Sequence, residues 1–222
     1  MTAINLAIHP ETIFVVTDGA SYMADGTLGA LSSKTYPLPH LNAVLAARGP
    51  HYFLPLVGAT LSMADSFDDL VAGLADAVRD VMAVHGGLLS LCDIGPDFDL
   101  VVAGFGEAGP AAYVLTSKER DGVPAWEVQP MGQFVAMPWD AATEARVEHG
   151  LTLAEREGEL DDPEGFLLRV VEAQRHVEED GRRGVGGFAQ VTVLDREGVS
   201  SRIVRRWGDV VGERLGMAAL AA

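Results

Sequence analysis

Residues 2–34 read TAINLAIHPETIFVVTDGASYMADGTLGALSSK, and this stretch carries the pattern that decides the fold. The weak alternation of residues 3–8 predicts one strand, and the β-branched and aromatic run of residues 12–17 predicts a second. His9-Pro10 interrupts the two runs as a turn does. The small residues of the stretch 21–31 indicate a loop. The chain is therefore expected to open as two neighbouring strands followed by a loop.

Three residues with reactive groups flank these strands. Thr2 precedes the first strand, Asp18 follows sixteen positions later at the end of the second, and Lys34 lies thirty-two positions after Thr2. If Met1 is removed, Thr2 offers a hydroxyl nucleophile whose proton its own α-amine can accept. That amine has a pKa of about 8 in peptides and is partly neutral in the cytosol. A nearby Lys34 ammonium favours the neutral amine, and Asp18 would keep Lys34 charged and oriented.

With these spacings, the first fifty residues resemble the β subunits of proteasomes, in the N-terminal-nucleophile (Ntn) hydrolase superfamily. They are most similar to the peptidase of the bacterial two-component ATP-dependent protease. The resemblance implies that Thr2 is the catalytic nucleophile and that Asp18 and Lys34 support it. The Arg48-Gly49 turn matches a Gly-containing turn of the family. This match implies that the backbone N–H of Gly49 stabilises the oxyanion of the reaction.

Beyond about residue 50 the resemblance is limited to the order of elements. Relatives carry a Ser-containing Gly turn before the third helix, where this chain has Met137-Pro138-Trp139-Asp140. They also carry an Arg-Asp pair, two residues and then Ser-Gly before the final hairpin. The corresponding stretch 178–187 contains no serine, and Asp180 is the nearest acid. These differences favour a second reading, in which the chain is a non-catalytic member with the same fold.

The rest of the chain groups its helices and strands in blocks. Apolar residues at three- and four-residue steps predict helix over residues 51–85, which Gly86-Gly87 would end. Further helices are expected over residues 141–153 and over residues 163–179, the latter with Pro163 in its first turn. The other predicted strands are residues 33–38, 42–47, 99–104, 111–116, 125–129, 133–137, 188–195 and 200–207.

Blocks of strands and blocks of helices favour an α+β fold over alternating βαβ units. The expected architecture is a four-layer αββα sandwich of two antiparallel sheets, and a single-sheet α+β fold is the alternative. Residues 1–210 are expected to form one domain, and residues 211–222 a C-terminal tail.

Composition excludes several classes of protein. Among 222 residues there is one cysteine, Cys92, so an internal disulfide is impossible. The formal net charge of −16 disfavours nucleic-acid binding, and Arg202, Arg205 and Arg206 are interpreted as a solvated strand face. The histidines are scattered singly, and Gly104-Phe105-Gly106 lacks a third glycine, so neither a metal nor a cofactor is expected. No apolar run is long enough to span a membrane and no secretory signal is evident, which predicts a cytoplasmic protein.

The sequence therefore predicts a threonine-type Ntn hydrolase, a peptidase that cleaves amide bonds. Two alternatives remain open: a non-catalytic structural or assembly protein, and an amidase acting on small molecules. The expected partners are a peptide or small amide substrate and further copies of the chain, since the family encloses its sites in rings. Whether an ATPase partner exists stays open, because no docking element is recognisable.

Overall fold

The structure is a computed structural model that describes residues 2–23, 25–90, 97–120, 122–148, 162–179 and 182–215. Met1, Cys92, Asp180, the predicted helical residues 149–153 and the tail residues 216–222 lie outside these ranges. The helices are α1 (Phe53–Leu61), α2 (Phe67–Leu89), α3 (Ala141–Glu148) and α4 (Pro163–Arg175), with a 3-10 helix at Pro39–Leu41. The strands are β1 (Ile4–Ile8), β2 (Thr12–Asp18), β3 (Ala20–Tyr22), β4 (Leu28–Leu31), β5 (Thr35–Leu38), β6 (Ala43–Arg48), β7 (Asp99–Gly106), β8 (Gly109–Thr116), β9 (Gln129–Pro130), β10 (Phe134–Met137), β11 (Glu178–Glu179), β12 (Arg182–Arg183), β13 (Phe188–Asp195) and β14 (Gly198–Arg206).

Ten of these strands form two five-stranded antiparallel sheets. Sheet A has the order β10-β1-β2-β13-β14, and sheet B has the order β5-β6-β7-β8-β9. Each neighbouring pair within either sheet is antiparallel. The expectation of two antiparallel sheets is confirmed, and the single-sheet alternative is wrong.

Three apolar clusters lie between four layers. The first joins α1 and α2 to sheet B and includes Leu74. The second fills the space between the sheets, with Val15 from sheet A and Val101 from sheet B. The third joins α4 to sheet A through residues such as Val170 and Val191. Burial of both faces of each sheet explains why the strands β2, β6 and β7 are apolar almost throughout. The layer order is αββα, as the sequence predicts.

The single helical segment predicted over residues 51–85 is two helices in the structure, α1 and α2, and α2 also extends past the predicted end. Helix α2 begins after Ser66, whose side chain accepts a hydrogen bond from the Asp69 N–H at 3.1 Å. It does not stop at Gly86-Gly87 but continues to Leu89, whose side chain is fully buried. Gly86 and Gly87 inside the helix together cost about 2 kcal/mol relative to alanine, and burial of the Leu89 side chain, which contributes about 1.5–3 kcal/mol, offsets that cost.

Two further differences from the predicted elements come from short strands that lie in polar or small-residue stretches. The stretch 21–31, expected to be a loop, contains the antiparallel pair β3 and β4. Helix α4 ends at Arg175 instead of continuing to residue 179, because Glu178–Glu179 pairs with Arg182–Arg183 as β11 and β12. Strands this short have too few residues to show an alternation.

The segment after β14 makes defined contacts as far as residue 215. Gly212 donates its N–H to the Leu28 carbonyl at 2.9 Å, and the Leu28 N–H is donated to the Glu213 carbonyl at 2.8 Å. On β14 itself, Arg202 and Arg205 are exposed and pair with glutamates of α4. These arginines form a solvated strand face, as the sequence suggests.

Candidate active site

The ladder between β1 and β2 brings Thr2 beside Asp18. Ile4 pairs with Thr17 in this antiparallel register, so the residues before Ile4 lie next to those that follow Thr17. Lys34 comes from the other sheet, immediately before β5. The start of β5 is held against sheet A by a hydrogen bond from the Gln190 amide to the Thr35 hydroxyl at 2.8 Å. The two sheets thus converge on one point, although the three residues are far apart in sequence.

Lys34 lies between Asp18 and Thr2 and contacts both. Its Nζ donates to Oδ1 of Asp18 at 2.9 Å and to Oγ1 of Thr2 at 3.0 Å. Asp18 is fully buried and Lys34 is 7% exposed, whereas Thr2 is partly open to solvent. The hydroxyl of Thr2 is therefore within proton-transfer distance of a buried amine and remains reachable from outside.

Asp18 is held in place by more than Lys34. Its Oδ1 also accepts the Ala3 N–H at 2.9 Å, and its Oδ2 accepts the N–H groups of Ala20 and Gly186, each at 3.1 Å. Four donors on one buried carboxylate leave it a single orientation. Because the Ala3 N–H belongs to the peptide bond after Thr2, Asp18 positions the nucleophile's backbone as well as Lys34.

The charge state of Lys34 is set by two opposing effects. Burial lowers the pKa of Lys34 below its ordinary value of 10.5, and the charge and hydrogen bond of Asp18 oppose that shift without cancelling it. From the sequence, only the second and smaller effect is predictable, because burial depends on the fold. A buried lysine with a lowered pKa gives up its proton more readily than an exposed one, which suits an exchange of protons with a hydroxyl.

Gly49 lies at the end of β6 on the wall of the same cavity. The cavity has a volume of about 1090 Å³ and is lined by Thr2, Lys34, Gly49, Tyr52 and Asp140, among others. Gly49 has φ = +150°, a conformation that side chains rarely adopt. The structure thus places Thr2, Lys34 and Gly49 on the lining of one cavity, while Asp18 is fully buried and hydrogen-bonded to Lys34.

Two parts of the site were not predicted from the sequence. The loop of residues 184–187 supplies the Gly186 N–H to Asp18, and Tyr22 donates its hydroxyl to the Gly184 carbonyl. The Tyr22 ring lies over Lys34, with 5.9 Å between Nζ and the ring centroid. The glycines of the stretch 181–187 were a usable signal for close backbone approach. Tyr22 gave none, because it was assigned to a loop.

Replacing Gly49 by alanine tests the wall of the cavity. An added Cβ would lie 3.0 Å from the Asp97 carbonyl oxygen and 3.0 Å from Cβ of Phe98, in a conformation unfavourable for alanine. We expect Gly49→Ala to lower the free energy of unfolding by about 1–3 kcal/mol. Thermal unfolding measures this loss.

Gly73→Ala is the matched control for Gly49→Ala. Gly73 lies in α2, and a Cβ there would meet no atom within 4 Å. Gly73→Ala should therefore raise the free energy of unfolding by about 0.5–1 kcal/mol. Equal stability of the two variants would contradict the tight packing described for Gly49.

Other site types find no support in the described residues. Within the ranges given above, no three His, Cys, Asp or Glu side chains gather in a way that could hold a metal ion. None of the helices in those ranges is long and apolar enough to cross a membrane.

Comparison with known proteins identifies the fold. No family model matches the sequence, and no curated protein does. Many solved structures match, among them two that match over most of their length. One is an Anbu (Gly-1) mutant from Hyphomicrobium sp. strain MC1, with a TM-score of 0.63, 11% identity, and coverage of 92% of this chain and 87% of that one. The other is Anbu (ancestral beta-subunit) from Yersinia bercovieri, with a TM-score of 0.65, 10% identity, and coverage of 91% and 87%.

Identities near one tenth establish the fold and nothing finer. Both alignments extend over about nine tenths of the chain. The αββα order and the two five-stranded antiparallel sheets agree with this likeness. The chain therefore has the proteasome-like Ntn-hydrolase fold of Anbu.

Proposed function

We propose that this protein is a threonine-type Ntn hydrolase that cleaves amide bonds, a peptidase with Thr2 as its nucleophile. The observation that carries the proposal is the contact of one buried amine, Lys34 Nζ, with both the Thr2 hydroxyl at 3.0 Å and the Asp18 carboxylate at 2.9 Å. This group opens onto a cavity large enough for a peptide segment. Fold alone does not assign function, so the proposal stands on this site.

The first half of the reaction forms an ester. Once Met1 is removed, the free α-amine of Thr2 accepts the Oγ1 proton while Oγ1 attacks the carbonyl carbon of the substrate. Lys34 is placed to relay this proton and to hold the α-amine neutral beforehand. The carbonyl electrons move onto oxygen, and the Gly49 N–H is assigned to stabilise that oxyanion. The carbon–nitrogen bond then breaks, and the leaving nitrogen takes the proton from the α-ammonium group.

The second half releases the product. A water molecule gives one proton to the α-amine and attacks the ester carbon. The ester bond to Oγ1 breaks, Oγ1 recovers a proton, and the product leaves as a carboxylic acid. The same amine therefore acts as base and then as acid in each half. Asp18 undergoes no covalent change, because its role is to orient Lys34 and the backbone after Thr2.

We further propose that the enzyme is a cytoplasmic homo-oligomer that assembles as a ring. This proposal rests on the resemblance of the first fifty residues to proteasome β subunits. A small-molecule amide substrate would use the same chemistry. A series of peptide and small amide substrates distinguishes the two substrate classes.

Covalent trapping tests the nucleophile. A peptide epoxyketone bonds to both the hydroxyl and the α-amine of an N-terminal threonine, so we expect one adduct on Thr2 in protein that has lost Met1. Intact mass followed by peptide mapping gives the site. Thr2→Ala is the control and should fold normally without forming the adduct. Retained Met1 with no adduct would instead support the non-catalytic protein with the same fold.

A further inference from the structure

The segment of residues 207–215, here called the C-terminal brace, contacts both the β3–β4 hairpin and the loop 184–187 beside the candidate active site. On one side, Gly212 and Glu213 hydrogen-bond to the backbone of Leu28 in the β3–β4 hairpin. On the other side, the Trp207 N–H donates to the Gly187 carbonyl at 3.0 Å. The brace therefore joins the hairpin that carries Tyr22 to the loop 184–187.

A buried ion pair anchors the brace. Asp209 accepts two hydrogen bonds from the Arg175 guanidinium, at 2.6 and 2.8 Å, and the side chains are 1% and 3% exposed. Asp209 Oδ2 also accepts the Gly187 N–H at 2.7 Å. The Arg175 guanidinium lies 4.6 Å from the centre of the Trp207 ring. Burial of a charged pair this deep has a large desolvation cost. What the pair provides, and an apolar pair could not, is the directional hydrogen bond from the Gly187 N–H to Asp209.

The loop held by Asp209 is the loop that holds Asp18. Gly186 donates its N–H to Asp18, and its carbonyl accepts the Gly19 N–H at 3.1 Å. A Cβ on Gly186 would lie 2.8 Å from Oδ2 of Asp209, so the two are in close contact. The same loop accepts the hydroxyl of Tyr22, whose ring covers Lys34. A displacement of the loop would thus reach Asp18 directly and Lys34 through both Asp18 and Tyr22.

We propose that Asp209 and Arg175 are positioning residues for the candidate active site, which act through the loop 184–187 on Asp18 and Lys34. The proposal rests on the function proposed above, but it also makes a claim about Lys34 that can be measured without any substrate. Neither residue touches the cavity around Thr2, so neither is a catalytic residue.

The kinetic test uses Asp209→Asn in the full-length protein. The amide cannot accept two bonds from Arg175 and also hold Gly187, so the loop should relax and Asp18 should shift. Misplacement of a reacting group by about 1 Å costs up to about 100-fold in rate. We expect a fall of about 10- to 100-fold in kcat and in the rate of epoxyketone labelling, with KM within about twofold. Leu74→Ala, in the core between α2 and sheet B, is the control for lost stability, and its kcat should stay near that of the wild type.

The second test observes Lys34 directly by NMR. The chain has two lysines, Lys34 and Lys118, so lysine labelled with ¹³C at Cε gives two signals to follow with pH. The groups that face Lys34 are Asp18, Thr2 and Tyr22. Relaxation of the loop in Asp209→Asn should let water reach Lys34, and because burial affects its pKa more than the charge of Asp18 does, that pKa should rise towards the ordinary 10.5. The signal of Lys118, whose side chain is 62% exposed, is the internal reference.

If Asp209→Asn does not fold, the double variant R175M/D209L provides the same test. It removes the acceptor for the Gly187 N–H and leaves no buried unpaired charge. Replacement of a whole buried ion pair by apolar residues is often neutral or stabilising. An unchanged Lys34 titration in a folded variant would overturn the positioning role. A changed titration together with no epoxyketone adduct in the wild type would support the brace and refute the proposed hydrolase.

Discussion

Lys34→Met is expected to reduce turnover of an amide substrate by about 10²–10⁴-fold, the usual contribution of a positioned proton-transfer group. Methionine keeps much of the length and apolar stem of lysine, but it can neither relay the Thr2 proton nor favour the neutral α-amine. The stability of the fold should be affected much less than turnover, because Asp18 keeps the backbone N–H donors of Ala3, Ala20 and Gly186. Measured kcat/KM and thermal unfolding of the same preparation check both parts.

Lys118→Met is the matched control for Lys34→Met. Lys118 is the other lysine of the chain and forms an exposed ion pair with Asp97 at 2.6 Å. Loss of an exposed pair costs about 0–1 kcal/mol and should leave turnover unchanged. Lys34→Arg should not restore activity, because a guanidinium stays charged and is too large for a position shaped around an ammonium group. Normal turnover in Lys34→Met would remove Lys34 from the mechanism.

The pH profile of the wild type follows from the same residue. The acid limb is assigned to the α-amine of Thr2, which must be neutral to act as a base. The alkaline limb is assigned to Lys34, which must carry its proton to keep that amine neutral. Because burial lowers the pKa of Lys34, this limb should fall below pH 10.5.

Asp18→Ala should produce the largest loss of stability of any single change at the site. It removes the acceptor for four donors at once and leaves the Lys34 ammonium buried without its counter-charge. Breaking a buried pair in this way costs about 3–5 kcal/mol. At about 2–4 °C per kcal/mol for a chain of this size, the unfolding midpoint should fall by roughly 6–20 °C.

A double-mutant cycle separates the lost charge pair from the lost backbone contacts. In Asp18→Ala combined with Lys34→Met, no unpaired ammonium remains, so part of the stability should return. A coupling of about 0.5–3 kcal/mol between the two sites is expected for side chains in direct contact. Strict additivity would mean that the 2.9 Å contact contributes nothing measurable to the folded state.

The elements that the sequence predicts best are those with a local signal. The apolar run of β2 and the periodic spacing of α2 depend on neighbouring residues, so β2 was predicted with nearly correct bounds and α2 was predicted as helix, although its division from α1 was not. The pairs β3–β4 and β11–β12 were missed, because strands of two to four residues show no period. The spacing of Thr2, Asp18 and Lys34 indicated a common site because each of these residues lies at or next to the end of a strand that the sequence predicts.

What the sequence alone determined is the set of reactive groups and the order of the elements that carry them. The grouping of strands and helices predicted two sheets between helical layers, and the chain positions of Thr2, Asp18 and Lys34 predicted one site. Only the tertiary structure decided what surrounds that site. The Gly186 N–H reaches Asp18 across 168 positions, and Asp209 reaches Arg175 across 34. Burial then makes desolvation the dominant effect on Lys34, and burial is a property of the packed layers that no local pattern encodes.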